Sequence, residues 1–283
     1  MRIAWPTYVT PDEQALVLEG AFLSKFAYFG QADVDAYATS TAPLVLLEKP
    51  VRVEAPFDAQ AVVFRYASAY HPRLLAVGVS GSKSIEDYVC NVPVLPTVSA
   101  LFPSGAQVRL HTGFAEQAQA LQPLLEAAVV AELDSGEPVF FVGHSLGSSV
   151  AGILAAHYAA RYPKQVFYVG FGNPRTGNES FGRALVDRAA LALNVQNCRD
   201  PICGLIPPGL YVHCGDDVCI GDTTEWPNVL FGLDHLTMHY ITNLQAGGDV
   251  MQSHPLLAVR DAVIGAVRSL LASDGLIGML MGG

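Results

Sequence analysis

Charge is scarce in this chain and basic charge scarcer still. Only 15% of its 283 residues are charged, with 16 Lys+Arg against 26 Asp+Glu, where an average soluble domain carries about 25%. A formal charge of −10, with no basic stripe and no arginine–aromatic interleaving, argues against nucleic acid as a partner. Although 51% of the residues are hydrophobic, no run of about 18 uncharged apolar residues is present, so no transmembrane segment is expected; transient contact with a lipid surface stays open. There is no Ser/Pro/Gly-rich linker, no block of like charge and no internal repeat. One domain over residues 1–283 is expected. The opening MRIAWPTYVTPDE has proline, threonine and acids where a signal peptide needs an apolar run, so the chain as written reads as cytoplasmic. Cysteine is also sparse: Cys90, Cys198, Cys203, Cys214 and Cys219 form an odd set in a chain large enough to fold without staples. Reduced thiols are the expectation, and the C-x4-C spacings lack the C-x2-C of zinc sites, so no metal is expected.

What is present is alternation. A helix is predicted over 12–28, strands over 61–67 and 74–79, and a Pro-containing segment over 80–105. A short strand over 107–110 follows, then a long helix over 115–133 interrupted by Pro123. Beyond it the order is strand (138–142), helix (146–161), strand (165–171), helix (180–190), strand (193–196). That pattern predicts an α/β fold with a mainly parallel sheet and helices on both faces. A further helix is predicted over 255–272 in a C-terminal extension of 255–283; its broad apolar face is expected to pack on the body, with membrane or partner contact as the alternative.

The strongest chemical signal is Gly143-His144-Ser145-Leu146-Gly147 between the apolar strand EPVFFV and the small-residue helix SSVAGILAAHYAA. Glycines flanking a serine at a strand-to-helix turn leave room for a strained backbone that holds the hydroxyl clear of the sheet. The helix N-terminus behind it favours developing negative charge. A serine nucleophile needs a histidine base and an acid to orient that base, and in this arrangement both lie downstream, acid first. Asp200 follows a strand beyond Phe171, whereas Asp216 and Asp217 read as a solvated hairpin turn. His235 and His239 could also be i,i+4 metal ligands on a helix, but no glutamate stands between them to act as a metallohydrolase base.

Several segments resemble a known family, the class 3 lipases, in order and spacing. They are AFLSKFAY (21–28), HTGF (111–114), GHSLG (143–147), FGNPRTGNESF (171–181), RDPICGLIPP (199–208), YVHCG (211–215) and LDHLTMHYI (233–241). The resemblance implies an α/β-hydrolase fold and no cofactor. It implies Asp200 as the triad acid and favours His235, five residues before Tyr240, over His239 as the base. The oxyanion would meet the backbone N–H of Leu146 and of Ser82, in a Ser80-Gly81-Ser82 loop where the family usually carries Arg-Gly-Ser/Thr. Ser84-x-x-Asp87 has the form of a capping box, and Ile85, Tyr88, Val89 and Val92 follow at i, i+3, i+4, i+7. By similarity to the fungal members, this segment (84–102) is expected to be a lid over an acyl pocket. The implied function is hydrolysis of carboxylic esters, chiefly of acylglycerols. A phospholipase A1, galactolipase or small-ester esterase with the same triad is the alternative. A catalytically silent lipid- or protein-binding hydrolase fold is the reading from a different class.

Overall fold

The computed structural model describes residues 3, 5–31, 44–68, 70–81, 96–103, 107–197, 200–204, 206, 211–220 and 237–245. In chain order the elements are α1 (Pro11–Phe26), β1 (Val45–Leu46), β2 (Val51–Glu54), β3 (Gln60–Ala67), β4 (Leu74–Val79), β5 (Pro96–Thr97) and β6 (Leu110–His111). They continue with α2 (Thr112–Asp134), β7 (Val139–His144), α3 (Leu146–Arg161), β8 (Val166–Phe171), α4 (Glu179–Val186) and β9 (Leu191–Asn197). A short 3-10 turn (Pro201–Gly204), β10 (Asp216–Ile220) and α5 (Thr237–Gln245) complete the described chain.

The main sheet has eight strands, ordered β1-β3-β4-β7-β8-β9-β10, with β2 also on β3. From β4 to β10 every pairing is parallel; β1, β2 and β3 add an antiparallel margin. Because side chains alternate across a strand, one strand feeds two cores. Val139 and Phe141 of β7 face α2, α3 and α4, while Phe140 and Val142 face α1 and α5. All of β4, β7 and β8 is buried, which is why those strands read as continuous apolar runs. A mainly parallel sheet in this order, covered by helices on both faces, is that of an α/β-hydrolase fold.

Helix α1 begins with a capping box: the Thr10 hydroxyl accepts from the Glu13 N–H (3.3 Å) and the Glu13 carboxylate accepts from the Thr10 N–H (2.8 Å). Helix α2 does not break at Pro123. Burial of Leu121, Leu125, Val129 and Leu133 outweighs the roughly 3 kcal/mol an interior proline costs. Two other expectations are corrected. Asp216 and Asp217 open β10, parallel to β9, rather than forming a hairpin turn; both are anchored, Asp216 by the Tyr8 hydroxyl and Asp217 by Asn194 (2.7 Å) and Gln196 (2.8 Å). Among the described residues, Cys203 and Cys214 are free thiols, whereas Cys219 is disulfide-bonded. The predicted helix over 255–272 lies outside the described residues.

Among the described residues, no helix is long and apolar enough to cross a membrane. Of the predicted lid, 84–95 and with it Ile85, Tyr88, Val89 and Val92 lie outside the described residues. Its end is seated on the body: Phe102 is buried, the Ser99 hydroxyl accepts from Gln119 Nε2 (2.9 Å), and the Leu101 carbonyl lies 2.7 Å from His157 Nδ1.

Candidate active site

In a parallel sheet the strand ends that lead into helices collect at one edge. Ser145 stands at that edge between β7 and α3, 4% exposed, with φ 58° and ψ −135°. This backbone region costs a non-glycine residue roughly 1–3 kcal/mol and persists only where its surroundings hold it. Here the Ser145 N–H donates to the Phe171 carbonyl of the neighbouring strand (2.8 Å), and the Ser145 carbonyl accepts from the Ser148 N–H (3.0 Å) and the Ser148 hydroxyl. Gly147 lets α3 start hard against β4: a Cβ there would fall 2.6 Å from the Ser80 carbonyl carbon. Leu146 is the first residue of α3, so its N–H has no acceptor within the helix. That is the donor an oxyanion needs.

Asp200 follows β9 and is 7% exposed. Its Oδ1 accepts from the Ile202 N–H (2.9 Å) and its Oδ2 from the Tyr240 hydroxyl (2.6 Å). With β8 between β7 and β9, and roughly 4.8 Å per strand step, the two strand ends lie roughly 10 Å apart, a span an imidazole can bridge. His235 and Ser82 lie outside the described residues. His239 falls within α5, whose Tyr240 reaches the acid.

A chain of rings links Asp200 to Gly81. Tyr240, fully buried, donates to Asp200, accepts from the Asn197 N–H (3.1 Å), and meets His144 edge-on with ring centroids 5.9 Å apart. His144 Nδ1 lies 2.9 Å from the hydroxyl of Tyr28, the next ring, 5.9 Å away between centroids. The Tyr28 hydroxyl in turn accepts the Gly81 N–H. Gly81 sits so close beneath the elbow that a Cβ would fall 2.8 Å from the His144 carbonyl and 3.1 Å from Ser145 Cβ. Burial raises the pKa of both tyrosines, and for Tyr240 the facing Asp200 charge raises it as well. Both stay protonated donors at neutral pH. Nothing in the spacing of the sequence announces these contacts: Tyr28 and His144 are 116 residues apart.

Two other groups are structural. Burial lowers the pKa of His111 to about 4; its ring lies on Phe114 at 4.4 Å, so it is neutral packing. Burial first, then the Asp200 and Asp217 charges, raise the pKa of the Cys203 thiol, which keeps it from acting as a nucleophile. Among the described residues, no group of three or more His, Cys, Asp or Glu could hold a metal ion.

Comparison with known proteins agrees with this geometry. Residues 76–209 match the family model described as Lipase (class 3). The chain is 24% identical over 208 residues to a secreted mono- and diacylglycerol lipase of Fusarium solani, covering 72% of this chain and 53% of the relative, so it spans about half that relative's length. The triacylglyceride lipase of Rhizomucor miehei superposes with a TM-score of 0.62 at 22% identity, covering 79% of this chain and 84% of the other. A triacylglycerol lipase whose catalytic centre is a serine protease triad superposes with a TM-score of 0.61 at 20% identity, covering 83% and 95%. The residues that match the class 3 lipase model, just under half of the chain, include Ser145 and Asp200, and the sheet that carries them has the fold of these lipases.

Proposed function

We propose that this protein is a serine carboxylic-ester hydrolase acting on acylglycerols. One observation carries the reading: a serine held in a strained strand-to-helix turn, two strands from a buried, doubly hydrogen-bonded carboxylate. In this reading Ser145 Oγ attacks the ester carbonyl while His235 takes its proton. Asp200 fixes the histidine's tautomer and offsets the imidazolium charge. The oxyanion is met by the N–H groups of Leu146 and Ser82. His235 then protonates the leaving alcohol, and water, deprotonated by the same histidine, releases the fatty acid and frees Ser145. Residues 84–102 would act as a lid, its apolar residues Ile85, Tyr88, Val89 and Val92 covering the acyl site and the Pro93–Pro96 stretch restricting the backbone at its hinge.

The test is stoichiometric labelling of Ser145 by a fluorophosphonate, run beside hydrolysis of triacylglycerol, diacylglycerol, phospholipid, galactolipid and p-nitrophenyl esters. Labelling with preference for acylglycerols is expected. A folded protein that neither labels nor hydrolyses any ester would leave only a binding role.

A further inference from the structure

The turn joining β2 to β3 breaks a local rule. The Ala55 N–H donates to the Ala59 carbonyl (2.9 Å) and the Ala59 N–H to the Pro56 carbonyl (3.4 Å), with Phe57 at φ 64° and Asp58 at φ 53° between them. Two successive left-handed residues make the hairpin turn that Asn-Gly fits without strain. Aspartate tolerates that conformation; phenylalanine is among the residues that least do. Nor does burial compensate, since Phe57 is 60% exposed. A bulky apolar ring held outward at a strained position has to be explained by what it meets there.

Its place in the fold indicates what that is. β3 runs antiparallel to β4, Ala61 opposite Val79, so the tip lies at the end of the sheet that carries Ser145. The carbonyl of Gln60, three residues beyond Phe57, accepts both the N–H (3.0 Å) and the hydroxyl (3.3 Å) of Ser80 in the oxyanion loop. Val98, also 60% exposed, follows β5, whose partner β6 runs directly into the N-terminus of α2 at the same end. Val53 and Ala55, below the tip, pack on the same core as Leu101 and Phe102, giving the tip and the segment after Val98 one rigid footing. The exposed Val45, Leu47 and Tyr70 belong to the other end, since Val45 pairs with Ala67 where β3 leaves the sheet.

We propose that Phe57, assisted by Val98, is an apolar anchor that enters the surface of a neutral lipid aggregate and holds the Ser145 end against it. Of the neighbouring charges, Glu54 is paired with Arg52 (2.9 Å), which leaves Asp58 as the charge beside the ring, on a chain of net charge −10. The attraction is therefore apolar, and an anionic surface is disfavoured. The anchor rests on the ester-hydrolase reading only for its choice of lipid; binding can be measured without turnover.

The experiment uses full-length protein carrying Ser145→Ala and droplets of triolein coated with phosphatidylcholine, with binding read by flotation. Removing one buried aromatic ring from the lipid predicts that Phe57→Gly binds roughly tenfold or more weakly, and Val98→Ser loses less. Phe57→Gly is also expected to melt higher, because glycine takes the left-handed turn without strain, so weaker binding cannot be put down to unfolding. Phe57→Trp should keep the binding and shift its fluorescence to the blue when droplets are added. In the Ser145 parent, kcat/KM for p-nitrophenyl butyrate should stay within twofold on Phe57→Gly. Wild-type flotation of Phe57→Gly overturns the anchor. So does an equal loss on the soluble ester, binding that strengthens with phosphatidylglycerol, or a dimer that Phe57→Gly dissolves, which would assign the ring to a second copy. Phe57-dependent flotation by a protein that hydrolyses no ester would keep the anchor and overturn the hydrolase.

Discussion

Replacing Tyr240 by phenylalanine removes one oxygen atom from the interior and takes one hydrogen bond from each of two groups. Asp200 Oδ2 loses a 2.6 Å hydrogen bond and the Asn197 N–H loses its 3.1 Å acceptor. A hydrogen bond to a charged group is worth roughly 1.5–3 kcal/mol, and a buried unsatisfied N–H costs about 1–3 kcal/mol more. With Tyr240 fully buried, water cannot easily replace the hydroxyl, so a loss of about 3 kcal/mol is expected. For a domain of this size that is roughly 6–12 °C in Tm. The same change leaves the carboxylate its Ile202 N–H bond (2.9 Å) but takes away its Oδ2 donor, so in the proposed triad it would hold the histidine less firmly. Orientation worth about 1.4 kcal/mol gives a tenfold fall in kcat, with KM for a soluble ester within twofold because the acyl site is untouched. Thermal unfolding by circular dichroism and steady-state kinetics on p-nitrophenyl butyrate measure both. A Tm within 2 °C of wild type together with unchanged kcat would refute the argument that this hydroxyl holds the acid.

Ser145→Ala should abolish hydrolysis without lowering Tm. His235→Ala should match it while His239→Ala loses far less, and the reverse ranking of kcat would move the base by one helical turn. Tyr28→Phe deletes the acceptor for the Gly81 N–H and the partner of His144; kcat and the fluorophosphonate labelling rate should fall together, roughly tenfold, and labelling at the wild-type rate would show that the oxyanion loop holds itself. His111, with its pKa lowered to about 4 by burial, must stay neutral in the fold, so the unfolded chain takes up more protons as pH falls through the ordinary histidine range near 6.5. Stability should therefore be full above about pH 6.5 and decline towards pH 4, by roughly 3 kcal/mol from this group. Denaturant midpoints for wild type and His111→Phe across that window should converge as the pH drops; parallel curves would assign the acid sensitivity elsewhere.

Sequence alone determined the parts of this protein whose physics is local. The helix predicted over 146–161 is the observed α3, and the strand over 74–79 is β4. Small residues on one and an unbroken apolar run on the other leave few alternatives. The strained strand-to-helix turn at Ser145 was legible because glycines around a serine answer a steric demand within five residues. The position of Asp200, just past a strand of the parallel sheet, was legible because the apolar run before it ends there. The tertiary structure decided what depends on distant partners. Asp216 and Asp217 look like turn residues until β9 offers them a parallel neighbour and Asn194 and Gln196 offer them donors. Pro123 looks like a helix end until the core beneath α2 outweighs it. Tyr28, His144 and Tyr240 have no relation in sequence, yet they form one hydrogen-bonded and ring-packed line from Gly81 to Asp200. Such contacts carry no local signature because the free energy that forms them comes from burial of the whole sheet, which brings segments more than a hundred residues apart to the same edge.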